Sequence, residues 1–566
     1  MVHAPRKRTG KFWLAVAIAS FSLVSHGSAA AFAAAPASAG TPTSESAALG
    51  DVAAQLLHEL ESGSLQPSVA SAVYASHAAR GLAATDRRWW VISVANNRSR
   101  SASAAAKPLD PVRELTPTWR DAWRAVEQAP ASTVDVATGF RRVRRGGAAA
   151  VLRRAAVIET HHFVIETATT ADSWPAIVET CETTAATIGS LLDLPALSPA
   201  PMRVVVAKNR EEYIRLLGGA ERRIAVTSGY FDPETGIVYC YWDGRDDTIA
   251  ALRHEVTHQL LTNAWTGGSD TSWRTRPDFW AYEAVAAYAE SIRIVGGVDE
   301  LLLTAGGWDA PRVQAARYRR LHDLQWVEWP DLRAANAETF QAATDLQLRY
   351  SQSAALAHMF FDAPPTAGGA PDAFEQLLEA VHRGRPASQI LDLDSEAVRR
   401  DYDRFLQVNP DSLTRYPLLP PRVDVVLSRC EVSPEPLLTW PTSHRRLDWL
   451  DLSFTQAGGS WLGPDWSIRR LNLESNPLTE SDIDAIVSVQ SLEELDVSDC
   501  GLDASAVARL CQLPNLRRLW LSGNPVGDEV LEPLSAARRL EHVDVQRTDI
   551  SPTAWQSFLR EHPRLR

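Results

Sequence analysis

The stretch Asp247-Thr-Ile-Ala-Ala-Leu-Arg-His254-Glu255-Val-Thr-His258-Gln-Leu-Leu-Thr-Asn-Ala-Trp265 sets two histidines four residues apart, with a glutamate directly after the first. On an α-helix, residues four apart stand on one face a turn apart, so His254 and His258 present imidazole nitrogens to a single metal ion. Glu255 points off the ligand axis, which leaves its carboxylate free to take a proton from water instead of binding the metal. One zinc ion is the expected guest, and hydrolysis the chemistry this pattern serves.

A metzincin site would need a glycine three residues after His258 and a third histidine at six. Those positions are Leu261 and Ala264, which excludes it. Two carboxylates are candidates for the third ligand. Glu283 stands 25 residues beyond His258 in the helix-forming run Trp280-Ala-Tyr-Glu283-Ala-Val-Ala-Ala-Tyr288-Ala-Glu290, and Asp270 in the loop Gly267-Gly-Ser-Asp270. Either completes a site with its fourth position open to water.

With these motifs the chain resembles the gluzincin metallopeptidases, in particular the bacterial peptidase MA-like families, whose second motif reads Trp-x-x-Glu-Gly-x-Ala-x-Tyr. The resemblance favours Glu283 over Asp270. Ala284 replaces the family's glycine, a change a helix tolerates well. Thermolysin carries an acidic residue four after its ligand glutamate to orient a histidine. Here that position is Ala287, so the orienting group must come from elsewhere. The run Leu348-Arg-Tyr350-Ser-Gln-Ser-Ala-Ala-Leu-Ala-His358-Met-Phe-Phe is similar to a helix of the same families that a tyrosine begins. The resemblance makes Tyr350 a donor to the oxyanion of a tetrahedral intermediate, while His358 reads as a core or supporting histidine. It spans about residues 157 to 407 and implies an α+β, thermolysin-like domain: a small mixed sheet above a helical lower half.

Residues 1–33 combine a basic start (Arg6, Lys7, Arg8, Lys11), an apolar run from Phe12 to Val24, and the small-x-small site Ala31-Phe32-Ala33. This is the pattern of a secretory signal, and its apolar run is too short for a span of about 20 residues. An exported chain, periplasmic or extracellular, with no stable membrane span after cleavage, is expected. Losing these four positive charges and no acidic one takes the formal charge from −12 to −16, which disfavours nucleic acid as a partner. Five cysteines, Cys181, Cys240, Cys430, Cys500 and Cys511, are too few and too scattered for a disulfide framework; Cys181 with Cys240 is the first pairing to test.

Residues 34–150 read as a flexible leader followed by a mostly helical region, a propeptide or docking domain, ending in the basic run Arg141 to Arg145. That run is expected as a solvated linker, with a processing site as the other reading. From 151 to 410 strands and helices alternate into the metal helix: strands at His161–Thr167 and Arg203–Ala207, helices at Ser173–Leu192 and Arg210–Leu217, then a hairpin across Thr227–Trp242 around Asp-Pro-Glu-Thr-Gly. His161 and His162 point to opposite faces of a strand and are read as structural.

Residues 411–446 are proline-rich, a linker or a repeat cap. From 447 to 566 an apolar pattern restarts at Leu447, Ile468, Leu492, Leu516 and Leu540, at intervals of 21, 24, 24 and 24 residues. It resembles the leucine-rich repeats, whose turn asparagine or cysteine falls here at Thr455, Asn476, Cys500, Asn524 and Thr548. Charges alternate between repeats (Arg469-Arg470, Glu493-Glu494, Arg517-Arg518, Glu541) and are expected to pair up the stack. The central strand position, read as exposed, holds Asp451, Asn472, Asp496, Trp520 and Asp544. Trp520 is therefore the expected anchor for a protein partner, or for the chain's own catalytic half.

The expected function is that of a secreted zinc metallopeptidase acting on peptide or protein substrates. His254, His258 and Glu283 hold zinc, Glu255 is the general base, and Tyr350 the oxyanion donor. The alternative is a catalytically idle extracytoplasmic scaffold for protein interaction, which would have no need to keep Glu255.

Overall fold

The computed structural model describes residues 136–565, apart from 139–140, 146–149, 153–154, 161, 171–172, 193, 195–200, 218–226, 245, 267–271, 296–301, 364, 386–389, 392, 409–412, 414–422, 433–434, 439 and 441–444. The expected signal, leader and helical N-terminal region, together with Asp270 and His161, lie outside the described residues. The fold is mixed α/β, with a seven-stranded sheet, a helical layer and a six-stranded sheet.

The first sheet comprises β1 (Val136–Thr138), β2 (Arg141–Arg145), β3 (Ala156–Glu159), β4 (Phe163–Thr167), β5 (Met202–Ala207), β6 (Gly229–Asp232) and β7 (Ile237–Tyr241), in the order β1-β2-β3-β4-β5-β7-β6. Only β4–β5 and β5–β7 are parallel. Helix α1 (Trp174–Leu191) makes the crossover into β5, and α2 (Arg210–Leu216) follows it. Val204, Val205 and Val206 are all buried in β5, the continuous apolar run of a strand covered on both faces.

The basic run Arg141–Arg145 is not a linker between elements. It is strand β2, antiparallel to β3 from Arg142↔Glu159 to Arg145↔Ala156, so the sheet starts ahead of residue 151. The expected hairpin forms: β6 pairs antiparallel with β7 across a turn closed by Gly236 N–H to Asp232 C=O at 2.8 Å, where Gly236 takes φ +67°. This leaves β6 as an end strand of the sheet among the described residues.

Helix α3 (Asp246–Thr266) carries the two histidines and packs on α1 and under β6 and β7. Gln259 fixes it to the sheet, its amide donating to the Arg203 and Gly236 carbonyls at 2.8 and 2.7 Å. Helix α4 (Phe279–Ala289) is buried along its whole length. It starts from Asp278, whose φ of +64° is unusual for a residue with a side chain. The Asp278 carboxylate accepts from Arg333 at 2.8 and 3.0 Å and from Trp280 Nε1 at 3.0 Å, which holds the strained entry in place. Next come β8 (Arg293–Val295), β9 (Leu302–Thr304), α5 (Pro311–Arg317), a π-helical turn (Tyr318–His322), α6 (Trp329–Ala334), α7 (Ala337–Gln341), α8 (Leu346–Asp362), α9 (Pro371–Arg383) and α10 (Ser395–Leu406). Helix α8 lies along α4, with Trp280 packed between Trp329, Phe360 and Phe374. His358 is fully buried, with Nδ1 3.3 Å from Asp362, as a core histidine.

The second sheet is parallel throughout and in chain order: β10 (Val423–Val426), β11 (Arg446–Asp451), β12 (Ser467–Asn472), β13 (Glu494–Asp496), β14 (Arg518–Trp520) and β15 (His542–Asp544). Its register reproduces the intervals in the sequence, Leu447↔Ile468 at 21 and Leu471↔Leu495↔Leu519↔Val543 at 24. Each expected turn residue ties down backbone: Thr455 to Leu452 O, Asn476 to Leu452 and Leu473 O, Cys500 to Leu473 O, Asn524 to Val497 and Leu521 O, Thr548 to Val545 O. The charge ladder closes in part: Arg518–Glu494 lie at 3.1 Å, Arg517–Glu541 at 2.6 Å and Arg469–Glu493 at 3.7 Å, while Arg470 pairs instead with Asp448 and Asp424 at 2.9 and 3.2 Å.

Two expectations fail here. The strand position read as exposed is buried at Asp451, Asn472, Asp496 and Trp520. The strands end there, and the carboxamide or carboxylate oxygen of Asp451, Asn472, Asp496 and Asp544 turns back to accept the N–H two residues on, at 2.9 to 3.0 Å. Trp520 has no such group and is 7% exposed, its ring 5.4 Å from that of His542, so it is not an exposed anchor. Nor do Cys181 and Cys240 pair: all five cysteines are buried free thiols.

Candidate metal centre

Helices α3 and α4 bring His254, His258 and Glu283 together in a buried cluster. The Nε2 atoms of His254 and His258 lie 3.2 and 3.5 Å from one oxygen, Glu283 Oε2. Ligand atoms around a tetrahedral ion with bonds of about 2.0–2.2 Å sit about 3.4 Å apart, so the cluster has the spacing of donors around one metal ion. Two imidazole nitrogens and a carboxylate oxygen are a donor set such an ion accepts.

Neighbouring groups fix each ligand. His254 Nδ1 is 2.8 Å from Glu290 Oε1, and Glu290 in turn accepts from Arg312 Nε and Nη2 at 2.8 and 2.9 Å. The His258 ring stacks on Tyr282 at 4.0 Å, nearly parallel, and the Tyr282 hydroxyl donates to the His258 carbonyl at 3.3 Å. Glu283 Oε1 accepts from Gln341 Nε2 at 3.3 Å. Burial alone would lower the His254 pKa, but Glu283 and Glu290 outweigh it and raise it to about 10. Burial opposes ionisation of Glu283 too, yet the two histidines hold its carboxyl well below the usual carboxylate range. Without metal His254 thus holds a proton against Glu283, which an ion would displace.

Glu255 is next to the cluster and separate from it. Phe231 N–H, on edge strand β6, donates to Glu255 Oε2 at 2.8 Å. Gly229 on the same strand leaves room for this side chain, since a Cβ there would stand 2.7 Å from Glu255 Cγ. Burial, opposed by His254 and His258, raises the Glu255 pKa. Tyr350, partly buried at the start of α8, accepts from Gln341 Nε2 at 2.8 Å, so one amide links its hydroxyl to Glu283. His162 is remote from this group, its Nδ1 2.6 Å from Glu182.

Glu290, Arg312, Gln341 and Phe231 N–H were not anticipated as parts of the site. Glu290 had a legible signal: it stands seven residues after Glu283, two turns on along the same helix face. The others come from distant segments and have none. No protein-family model and no curated protein matches the chain.

Proposed function

We propose that the chain is an exported zinc metallopeptidase of gluzincin type, with a thermolysin-like catalytic half and a leucine-rich-repeat module. The observation that carries the reading is the convergence of His254 Nε2 and His258 Nε2 on Glu283 Oε2, with Glu255 anchored beside them on a separate partner. A structural ion needs only the ligands, whereas the extra carboxylate is what hydrolysis requires.

When bound, zinc supplies Lewis acidity that makes water nucleophilic at neutral pH and polarises a carbonyl. The remaining work falls to the chain's own groups. With Oε2 held by Phe231 N–H, Glu255 takes the proton of the attacking water on Oε1 and passes it to the departing amide nitrogen. Its raised pKa, caused by burial, makes it a stronger base than a free carboxylate. The Tyr350 hydroxyl, whose oxygen already accepts from Gln341, has its proton left to give to the oxygen of the tetrahedral intermediate. Strand β6, the end strand of the sheet among the described residues, offers an extended peptide a place to add beside the base.

The test is elemental analysis of the purified chain together with cleavage of a mixed peptide library. One zinc per chain and cleavage that Glu255→Gln abolishes without loss of zinc are expected. Stoichiometric zinc with no cleavage would leave the idle scaffold as the better account.

A further inference from the structure

Helix α5 and the π-helical turn after it stand between the candidate metal centre and the repeat sheet. On one side Arg312 grips Glu290, which meets His254. On the other, Gln314 treats β10 as a neighbouring strand would. Its Oε1 accepts Val426 N–H at 2.7 Å and its Nε2 donates to Asp424 C=O at 2.9 Å, on the strand that ends the sheet. An end strand leaves a row of unpaired backbone groups that must be covered, and here a side-chain amide from the catalytic half covers them.

Arg317 extends the grip. It is fully buried and donates to Val426 O at 2.9 Å, Leu406 O at 2.7 Å, Trp308 O at 3.0 Å and Gln314 Oε1 at 2.9 Å. One guanidinium thus joins α5, the end of α10 and the first strand of the repeat sheet. Beyond it, the π-helical turn lies on the repeat strands: Tyr318 packs edge-on against Trp449 at 5.0 Å, and His322 Nε2 is 3.0 Å from Glu474 Oε2. π-helical turns are rare and tend to mark functional positions.

We infer that the repeat module acts in cis as a brace for the metal centre, with Gln314, Arg317 and His322 as positioning residues that hold α5, and through Arg312 and Glu290 the imidazole of His254. The inference rests on the metal reading of His254, His258 and Glu283. It gives the repeats a partner, the chain's own catalytic half, without calling on a foreign protein.

The experiment compares full-length wild type with Gln314→Ala and His322→Phe, each first shown to be folded by circular dichroism. Zinc affinity is measured by chelator competition and the ligand field by the visible spectrum of the cobalt-substituted protein. Arg517→Ala, which breaks the pair Arg517–Glu541 on the last two repeats, is the control for general loss of stability. Both junction variants are expected to bind zinc about tenfold more weakly and to shift the cobalt bands, with the control unchanged. His322→Phe keeps a ring in the pocket, so it tests the idea even if Gln314→Ala does not fold. Wild-type affinity and spectrum in a folded junction variant would overturn the brace alone. A wild type that binds no zinc or cobalt would overturn the metal reading and the brace together.

Discussion

Glu255 and Phe231 are joined across the seam between the metal helix and the sheet edge, the Phe231 N–H donating to Glu255 Oε2 at 2.8 Å. This bond aims the proposed base. It also uses an amide of strand β6, so in the proposed mechanism the base and the peptide-binding edge would share one short strand. Gly229, two residues before Phe231, is the most sensitive point on it.

A methyl group at Gly229 would meet Glu255 Cγ at 2.7 Å, and the base must move to relieve the clash. His254, His258 and Glu283 lie at other helix positions and are untouched. Gly229→Ala should therefore retain stoichiometric zinc and lose about a hundredfold in kcat, the usual cost of a displacement of about 1 Å in a reacting group. Full activity in that variant would show that Glu255 needs no defined position.

Glu290→Gln tests the support of His254. The amide keeps the shape but loses the charge that faces both His254 and Arg312, leaving a guanidinium with no carboxylate beside it. Zinc affinity should fall by 10- to 100-fold, read by chelator competition, while the Glu255 chemistry persists at saturating zinc. An unchanged affinity would mean that the edge-on contact with His258 is enough to orient the ring.

How far the sequence was legible depends on the distance over which each constraint acts. His254 and His258 could be placed together because a helix fixes residues four apart whatever surrounds it. Glu283 needed a second helix to return to the first, and here only the resemblance of Trp280, Glu283 and Tyr288 to the family motif favoured it over Asp270. Arg312, Gln341 and Phe231 enter through tertiary packing and leave no local trace. The repeat register was readable for the same reason as the helix, since a fixed period determines which leucines stack. The reading went wrong where local pattern met a competing rule. Arg141–Arg145 reads as a solvated charge run but is paired as β2, and Asp451, Asn472 and Asp496 read as outward positions although their side chains turn back to close the strand ends.

Tyr350→Phe separates a donor from a packing residue. The ring sits edge-on to Phe340 at 5.4 Å and keeps that contact in the variant, so stability and zinc content should hold. If the hydroxyl serves the transition state, kcat falls by about 10²-fold with KM nearly constant, the usual result of removing one oxyanion donor. An unaltered kcat would reduce Tyr350 to an acceptor for Gln341.

The last prediction concerns pH and the junction of the two halves. Asp496 is buried at the end of β13, where burial, then the nearby Glu474, push its carboxyl up to about 7; the Ser498 N–H and His322 act the other way. Its unfolded value is about 3.9. Because the folded value is the higher one, its contribution to stability is complete below about pH 4 and is lost as pH rises through 7, where the folded protein must hold a buried charge. Asparagine cannot ionise, and it can still accept the Ser498 N–H, as Asn472 accepts Glu474 N–H one repeat earlier at 2.9 Å. Asp496→Asn should therefore be near neutral at pH 4 and stabilising by on the order of 1–3 kcal/mol at pH 8, read from urea unfolding at both pH values. An equal difference at pH 4 and pH 8 would show that the folded Asp496 carboxyl titrates no higher than the unfolded one.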